Sequence, residues 1–359
     1  MPAPTEPARA TRHTVLHGDA RSLGMIPAES IELVVTSPPY PMIKMWDEMF
    51  CSLNPAIRPA LDAPDPEEAF RLMHQELDRV WDEVARVLVP GGIACVNVGD
   101  ATRTLGGFFR LYTNHARVLD ALERRGLASL PAILWRKQTN APNKFMGSGM
   151  LPPGAYVTLE HEHILVLRKG RARTLTAPED RARRRRSAYF WEERNSWFSD
   201  IWELKGARQG LGEKLTRARS GAFPFELAYR LIAMHSVQGD TVLDPFLGTG
   251  TTCMAAAALA RSSLGVELDE SLARHARSAL SSSISRLNEW TLARLARHLD
   301  FIRERRGAGK PFKHRNARHG FDVVTSQEAD LELDLIWRAA PVGAEAIEVE
   351  YARATKEQA

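Results

Sequence analysis

Short apolar runs ending in Gly, Pro or Asp alternate along this chain with stretches of helical spacing. Ile31–Thr36 (IELVVT) predicts a buried strand, because it is bulky, β-branched and stopped by Ser37-Pro38-Pro39. From Pro66 to Leu88, apolar residues such as Leu72, Met73, Leu77, Val80, Trp81 and Val84 recur at helical spacing up to Pro90-Gly91-Gly92. Ile93–Val98 predicts the next strand, residues 115–125 a helix, and Ala132–Trp135 and His161–Leu167 further strands. Leu227–His235 predicts a helix and Thr241–Leu243 a very short strand. DPFLGTGTT follows, then an alanine-rich helix over Thr252–Ala260, and Ser263–Glu267 closes a β-α-β unit. The alternation predicts an α/β fold: an open, largely parallel, Rossmann-like sheet with helices on both faces. Residues 138–160 and 170–220 break the rhythm and read as insertions. Residues 284–305 predict one more helix. Beyond about 306 a basic linker leads to a short tail with no predicted structure.

A length of 359 residues with 44% hydrophobic and 26% charged positions supports a well-packed core and excludes general disorder. Cys51, Cys95 and Cys253 form no CxxC pair, which argues against a disulfide scaffold or a cysteine zinc site and predicts a reducing compartment. Neither a signal peptide nor a bilayer-spanning stretch is legible, so the cytoplasm is the expected location. The net charge is +4, but arginines crowd residues 181–186, and a second basic run follows residue 303. Such patches suit either a phosphate backbone or a solvated surface, and charge alone does not decide.

VLDPFLGTGTT (Val242–Thr252) lies between a strand and a helix, where backbone N–H groups can hold a ligand. It has no lysine for a nucleotide triphosphate, and Cys253 stands where a dinucleotide fingerprint would place its third glycine. The turn instead carries its own acid, Asp244, and Glu267 ends the next strand. A ligand with an ammonium group and a ribose diol but no phosphate fits these acids, and S-adenosylmethionine is such a ligand.

Thr36-Ser37-Pro38-Pro39-Tyr40 leaves a buried strand as a rigid turn with free carbonyls. It can aim the Ser37 hydroxyl and the Pro38 carbonyl at one point, with Tyr40 as a flat wall. An exocyclic base amine, whose lone pair is delocalised into the ring, needs acceptors on its two hydrogens to become nucleophilic.

SPPY together with DPFLGTGTT resembles the DNA methyltransferases that methylate cytosine N4 or adenine N6 from S-adenosylmethionine. The order, catalytic turn first and cofactor turn much later, is similar to the circularly permuted β group. The resemblance spans roughly residues 14–280. It implies a catalytic half over 14–137, a target-recognition insertion over 138–220 that includes strand 161–167, and a cofactor half over 221–283. A helical, basic extension over 284–359 follows. The resemblance places Ser37, Pro38, Pro39 and Tyr40 at the target base, which stacks on Tyr40 after flipping out of the duplex. Asp19, Phe223, Pro224, Asp244, Phe246, Gly248, Thr249, Gly250, Thr251 and Glu267 are implied around the cofactor. The histidine often seen before AFP is replaced here by Arg219-Ser220-Gly221.

Within that family Ser at the first motif position is more typical of N4-cytosine enzymes, so Ser37 favours cytosine, with adenine N6 the competitor. C5 methylation would need a thiolate that SPPY lacks. Lys44, Lys137, Lys144, Arg183, Arg184 and Arg185 are expected on DNA, and Lys44, Trp46 and Asp47 near the flipped base. Asn97 or Asp100 can add an acceptor at the amine, but both are expected as structural strand-end residues, and His161 and His163 as one strand face without a metal. The expected partners are duplex DNA and, as a separate chain, a cognate restriction endonuclease, with a monomeric or homodimeric enzyme. An RNA or protein methyltransferase and a non-catalytic DNA-binding module are the rival readings.

Overall fold

The computed structural model describes residues 9–63, 65–137, 146–147, 150–206, 223–355 and 358. Ten strands join one sheet: β1 (Ala10–His17), β2 (Ile31–Thr36), β3 (Leu88–Val98), β4 (Leu127–Lys137), β5 (His161–Lys169), β6 (Ile201–Leu204), β7 (Thr241–Asp244), β8 (Ser262–Glu267), β9 (Asp334–Val342) and β10 (Ala346–Arg353). Their order across the sheet is β6-β4-β5-β3-β2-β7-β8-β1-β10-β9. The five strands β3-β2-β7-β8-β1 all run parallel, while β5, β9 and β10 pair antiparallel with their neighbours.

Side-chain alternation along these strands builds two cores, one on each face. Val34, Ala94, Val96 and Leu243 pack with the helices Pro66–Val87 and Asn114–Glu123. Their sequence neighbours Leu33, Val35, Cys95 and Val242 point the other way, towards Phe225–His235 and Thr251–Ala258. Helix Pro66–Val87 starts where the Asp65 carboxylate accepts from the Glu68 N–H, with Pro66 pre-set in its first turn. Ala69, Leu72, Met73, Leu77, Val80, Trp81, Val84 and Val87 then line one buried stripe.

Two strands are longer than their sequence patterns predict. β3 runs through Pro90-Gly91-Gly92 by a register shift between its pairings at Ile31 and Leu33, with Gly91 at φ +81°. β4 likewise shifts register between Leu130 and Ile133, around Pro131, which has no N–H to give to the ladder.

The segment after residue 306, expected as a linker and tail, instead completes the sheet. β10 pairs with β1 from Ala10↔Glu350 to Thr14↔Ala346, and β9 pairs with β10. Tyr351 anchors this edge, its hydroxyl meeting Thr11 Oγ1 and the Ala257 carbonyl, both at 2.8 Å. The aromatic-rich insertion folds onto the same region. Phe190, Trp197 and Trp202 are buried, and Phe190 stacks on His298 at 3.8 Å between centroids. Arg294 of helix Ile284–Gly307, with a side chain only 4% exposed, binds both oxygens of Glu193 at 2.6 and 2.7 Å. Removing one partner of a buried pair strands the other charge in a low dielectric. Arg294→Ala is therefore expected to destabilise the protein by about 3–5 kcal/mol, read as a lowered denaturation midpoint in urea.

Candidate active site

β2 and β7 are adjacent and parallel, so the turns that leave their C-terminal ends meet on the same edge of the sheet. One hydrogen bond locks them together: Thr36 Oγ1 donates to Asp244 Oδ1 at 2.6 Å. Thr252 Oγ1 donates to the other oxygen at 2.6 Å, and the Phe246 N–H closes the turn onto Oδ1 at 3.1 Å. Asp244 is buried, and that burial pushes its carboxyl up to about 6.

A cavity of about 640 Å³ opens over this junction. Ser37, Pro38, Pro39 and Tyr40 line it, together with Asp19, Phe223, Asp244, Phe246, Gly248, Thr249, Thr251 and Glu267. Pro224 and Gly250 stand just behind it, at the starts of helices Phe225–His235 and Thr251–Ala258. At Gly248 (φ +56°) an added Cβ would meet nothing within 4 Å, so the turn is open where a ligand would approach. Gly250 has a different reason: at φ +88°, its Cβ would come 3.1 Å from that of Ala276. Glu267 accepts from the Gly248 and Asp269 N–H groups at 2.8 and 2.9 Å, which holds the turn in shape. Burial opposes ionisation of Asp19, yet the clasping Arg21 guanidinium, with Nη2 at 2.6 Å, outweighs it and keeps its pKa below the ordinary value.

Tyr40 lines the cavity with a side chain that is otherwise buried. Its ring packs beside Gly99, where a Cβ would come within 2.9 Å of it, and its hydroxyl turns inward. That hydroxyl lies 2.9 Å from Ser37 Oγ, donates to Glu162 Oε2 at 3.0 Å and accepts from Asn97 Nδ2 at 3.0 Å. Burial first, and then the Glu162 charge, raise the Tyr40 pKa well above its ordinary value, so the phenol keeps its proton.

The sequence of the DNA methylase family of N6- and N4-acting enzymes matches residues 31–278 of this chain. The type II methyltransferase M.MthZI of Methanothermobacter thermautotrophicus is 50% identical over 325 residues, covering 90% of both chains. M.MjaI, a type II methyltransferase of Methanocaldococcus jannaschii, is 52% identical over 273 residues, 73% of this chain and 89% of that one. The chain belongs to the amino-methylating DNA methyltransferase family. Among solved structures, a putative DNA modification methylase of Thermus thermophilus complexed with S-adenosyl-L-methionine is 34% identical, with a TM-score of 0.58 over 75% of this chain and 93% of that one.

The cofactor of this methyltransferase is S-adenosylmethionine, and the cavity suits it. Its volume falls in the range of about 300–1,000 Å³ typical of small-molecule sites. Asp19, Asp244 and Glu267 bring three carboxylates to its wall, a donor set that fits a ligand with ammonium and hydroxyl groups, and Gly248 leaves the turn clear.

The expected DNA contacts are scattered. Lys44 is exposed at the start of a 3₁₀ turn beside the cavity-lining Met45 and Trp46. Asp47 is committed to Arg103 by two bonds of 2.7 Å. Lys137 ends β4 on the catalytic edge, but its ammonium pairs with Glu162 and lies 4.7 Å over the Trp135 ring. Lys144 lies outside the described residues. Arg183, Arg184 and Arg185 belong to helix Pro178–Arg186. Arg183 binds Asp240 and the Gln238 carbonyl, both at 3.0 Å, at the N-terminal end of β7, the edge opposite the cavity. Arg185 pairs with Asp330 at 3.0 Å. A charge run in sequence does not reveal which sheet edge it will face.

Asn97, weighed from sequence as an added acceptor, touches the catalytic turn, and so does Glu162, which the sequence does not point to as a site residue. Glu162 carried one legible signal: a charged residue at the head of an otherwise apolar strand, where burial demands a partner. Thr36 and Thr252, the two donors to Asp244, carried none. His115 stacks on His163 at 3.9 Å while its Nδ1 meets Asp100 at 2.8 Å, which makes Asp100 a cap for helix Asn114–Glu123.

Asp244 is charged above about pH 6 and neutral below it. Cofactor affinity, measured by calorimetry, is expected to weaken as pH falls through that value. Asp244→Asn should remove the pH step and weaken binding roughly 10- to 100-fold, the worth of one charged hydrogen bond of about 1.5–3 kcal/mol.

Proposed function

We propose that this methyltransferase acts on the exocyclic N4 amine of cytosine, flipped out of duplex DNA, and that Ser37 is the side chain that accepts from that amine. The observation carrying this reading is the position of Ser37 at the head of SPPY, on the wall of the same cavity that holds the cofactor turn. Asp244, Glu267 and Asp19 would hold the cofactor, with Phe223 and Phe246 against its apolar parts. Bound there, S-adenosylmethionine supplies an electrophilic methyl group on a sulfonium.

The chain's own residues prepare the nucleophile. Ser37 Oγ accepts one amino hydrogen and the Pro38 carbonyl the other, which draws the amine out of conjugation and exposes its lone pair. Positive charge grows on nitrogen as it is methylated, and the same two acceptors stabilise it. The methylated nitrogen then sheds a proton readily, so no strong base is required. The rigid proline turn fixes these acceptors before the base arrives, which supplies much of the rate advantage through positioning.

Target recognition is assigned to the insertion over residues 138–220, which follows the end of β4 at the catalytic edge. β4 and β6 are parallel and both end on that edge, which supports the assignment. The type II names of M.MthZI and M.MjaI support a role in protecting DNA from a cognate restriction endonuclease.

Plasmid DNA methylated by the full chain and digested to nucleosides should yield N4-methylcytosine by mass spectrometry. N6-methyladenine instead would overturn the cytosine assignment. Ser37→Ala should lower kcat by about 100- to 1,000-fold, the usual effect of deleting one preorganised polar group, with cofactor affinity unchanged.

A further inference from the structure

Glu162 lies outside both motifs and does not line the cavity, yet it terminates a hydrogen-bond chain that reaches Ser37 from inside the protein. We propose that Glu162 is a positioning residue that sets the direction of the Ser37 hydroxyl, making Ser37 an acceptor rather than a donor towards the target amine. This rests on the reading of Ser37 as the amine acceptor.

The argument follows the protons. Glu162 has a side chain 11% exposed, and its Oε1 faces the Lys137 ammonium. Its Oε2 receives Tyr40 Oη at 3.0 Å and Asn97 Nδ2 at 2.6 Å. A carboxylate accepts and does not donate, so the one phenolic proton of Tyr40 is committed to Glu162. Tyr40 oxygen can then only accept from its other neighbours. Ser37 Oγ, 2.9 Å away, must give its proton to Tyr40, which leaves the serine lone pairs for the cavity side. Asn97 reinforces the order by directing its amide hydrogens at Glu162 and Tyr40, with Ser37 at the 3.5 Å limit.

Two further observations support a built arrangement. Asn97 Oδ1 is buried without a hydrogen-bond partner, a state that costs about 1–3 kcal/mol. Reversing the amide would set that oxygen against the carboxylate, so the orphaned acceptor follows from keeping every donor aimed at Glu162. Gly99 is the second: an added Cβ would come within 2.9 Å of Tyr40 Cε2 and 3.2 Å of Glu162 Cγ. The backbone there gives way so that tyrosine and carboxylate can meet.

Glu162→Gln keeps the shape and reverses the polarity, since its amide can donate to Tyr40. The tyrosine proton is then free to turn to Ser37, and the serine proton turns into the cavity against an amino hydrogen. Single-turnover methylation of duplex DNA by the full chain, with labelled cofactor, should fall about 10- to 100-fold for Glu162→Gln. Cofactor affinity, KM for DNA and thermal midpoint should stay near wild type, and Glu162→Asp should restore part of the rate. Tyr40→Phe cuts the chain, so adding Glu162→Gln to it should slow the enzyme little further. An undiminished rate in Glu162→Gln, rate losses that multiply in the double variant, or a loss that tracks a lowered thermal midpoint would overturn the proposal. Ser37→Ala, run alongside, separates the two levels. A full rate in Ser37→Ala sinks the acceptor reading itself. An inactive Ser37→Ala beside a fully active Glu162→Gln overturns only the polarity assignment.

Discussion

A single carboxylate holds the two working halves of this enzyme in contact. Asp244 takes one hydroxyl from Thr36, the last residue before the catalytic turn, and one from Thr252, in the first turn of the helix after the cofactor turn. These residues are far apart in sequence, and the parallel pairing of β2 with β7 brings them within reach. Burying an acid is unfavourable unless hydrogen bonds replace its water, and two hydroxyls and the Phe246 N–H do so here. Because this same acid faces the cavity, the joint between the halves is also part of the binding site.

Much of the central sheet was legible from local chemistry. Ile31–Thr36 declares itself as a buried strand by β-branching and by the prolines that stop it. Thr241–Asp244 does so only through the glycine turn that follows. The two faces of the sheet also follow from simple alternation, as Leu33 and Val35 pack opposite to Val34. What stayed hidden depended on where elements dock. Ile347, Val349 and Tyr351 are buried, with Glu348 exposed between them, a clear alternating strand, but nothing local says that its partner is β1 at the other end of the chain. Nor does the arginine run of Pro178–Arg186 say in sequence that Arg183 will fold onto Asp240. Glu162 joins the site only because separate strands and a turn converge on Tyr40.

Polarity divides the molecule as cleanly as topology does. At the N-terminal ends of the parallel strands, arginines are spent on internal acceptors: Arg173 and Arg183 on the Asp240 carboxylate, and Arg261 on the Ser236 carbonyl and hydroxyl. At the C-terminal ends, the acids are gathered around the cavity, held by hydroxyls, backbone N–H groups or Arg21. A negatively lined pocket beside a polyanion suits a cationic cofactor, whose charge eases the approach of the phosphate backbone.

The docking of the C-terminal hairpin also changes the character of the sheet's rim. Without β10, β1 would present a bare row of backbone groups beside the acid-bearing turn at Asp19. With it, the outermost strand is β9, which shifts register between Ile336 and Arg338 and carries Pro341, and the opposite rim is β6, only four residues long. Neither margin offers a long, flat template on which a second chain could zip its own strands. The hairpin thus trades an exposed inner strand for a margin less suited to edge-to-edge pairing.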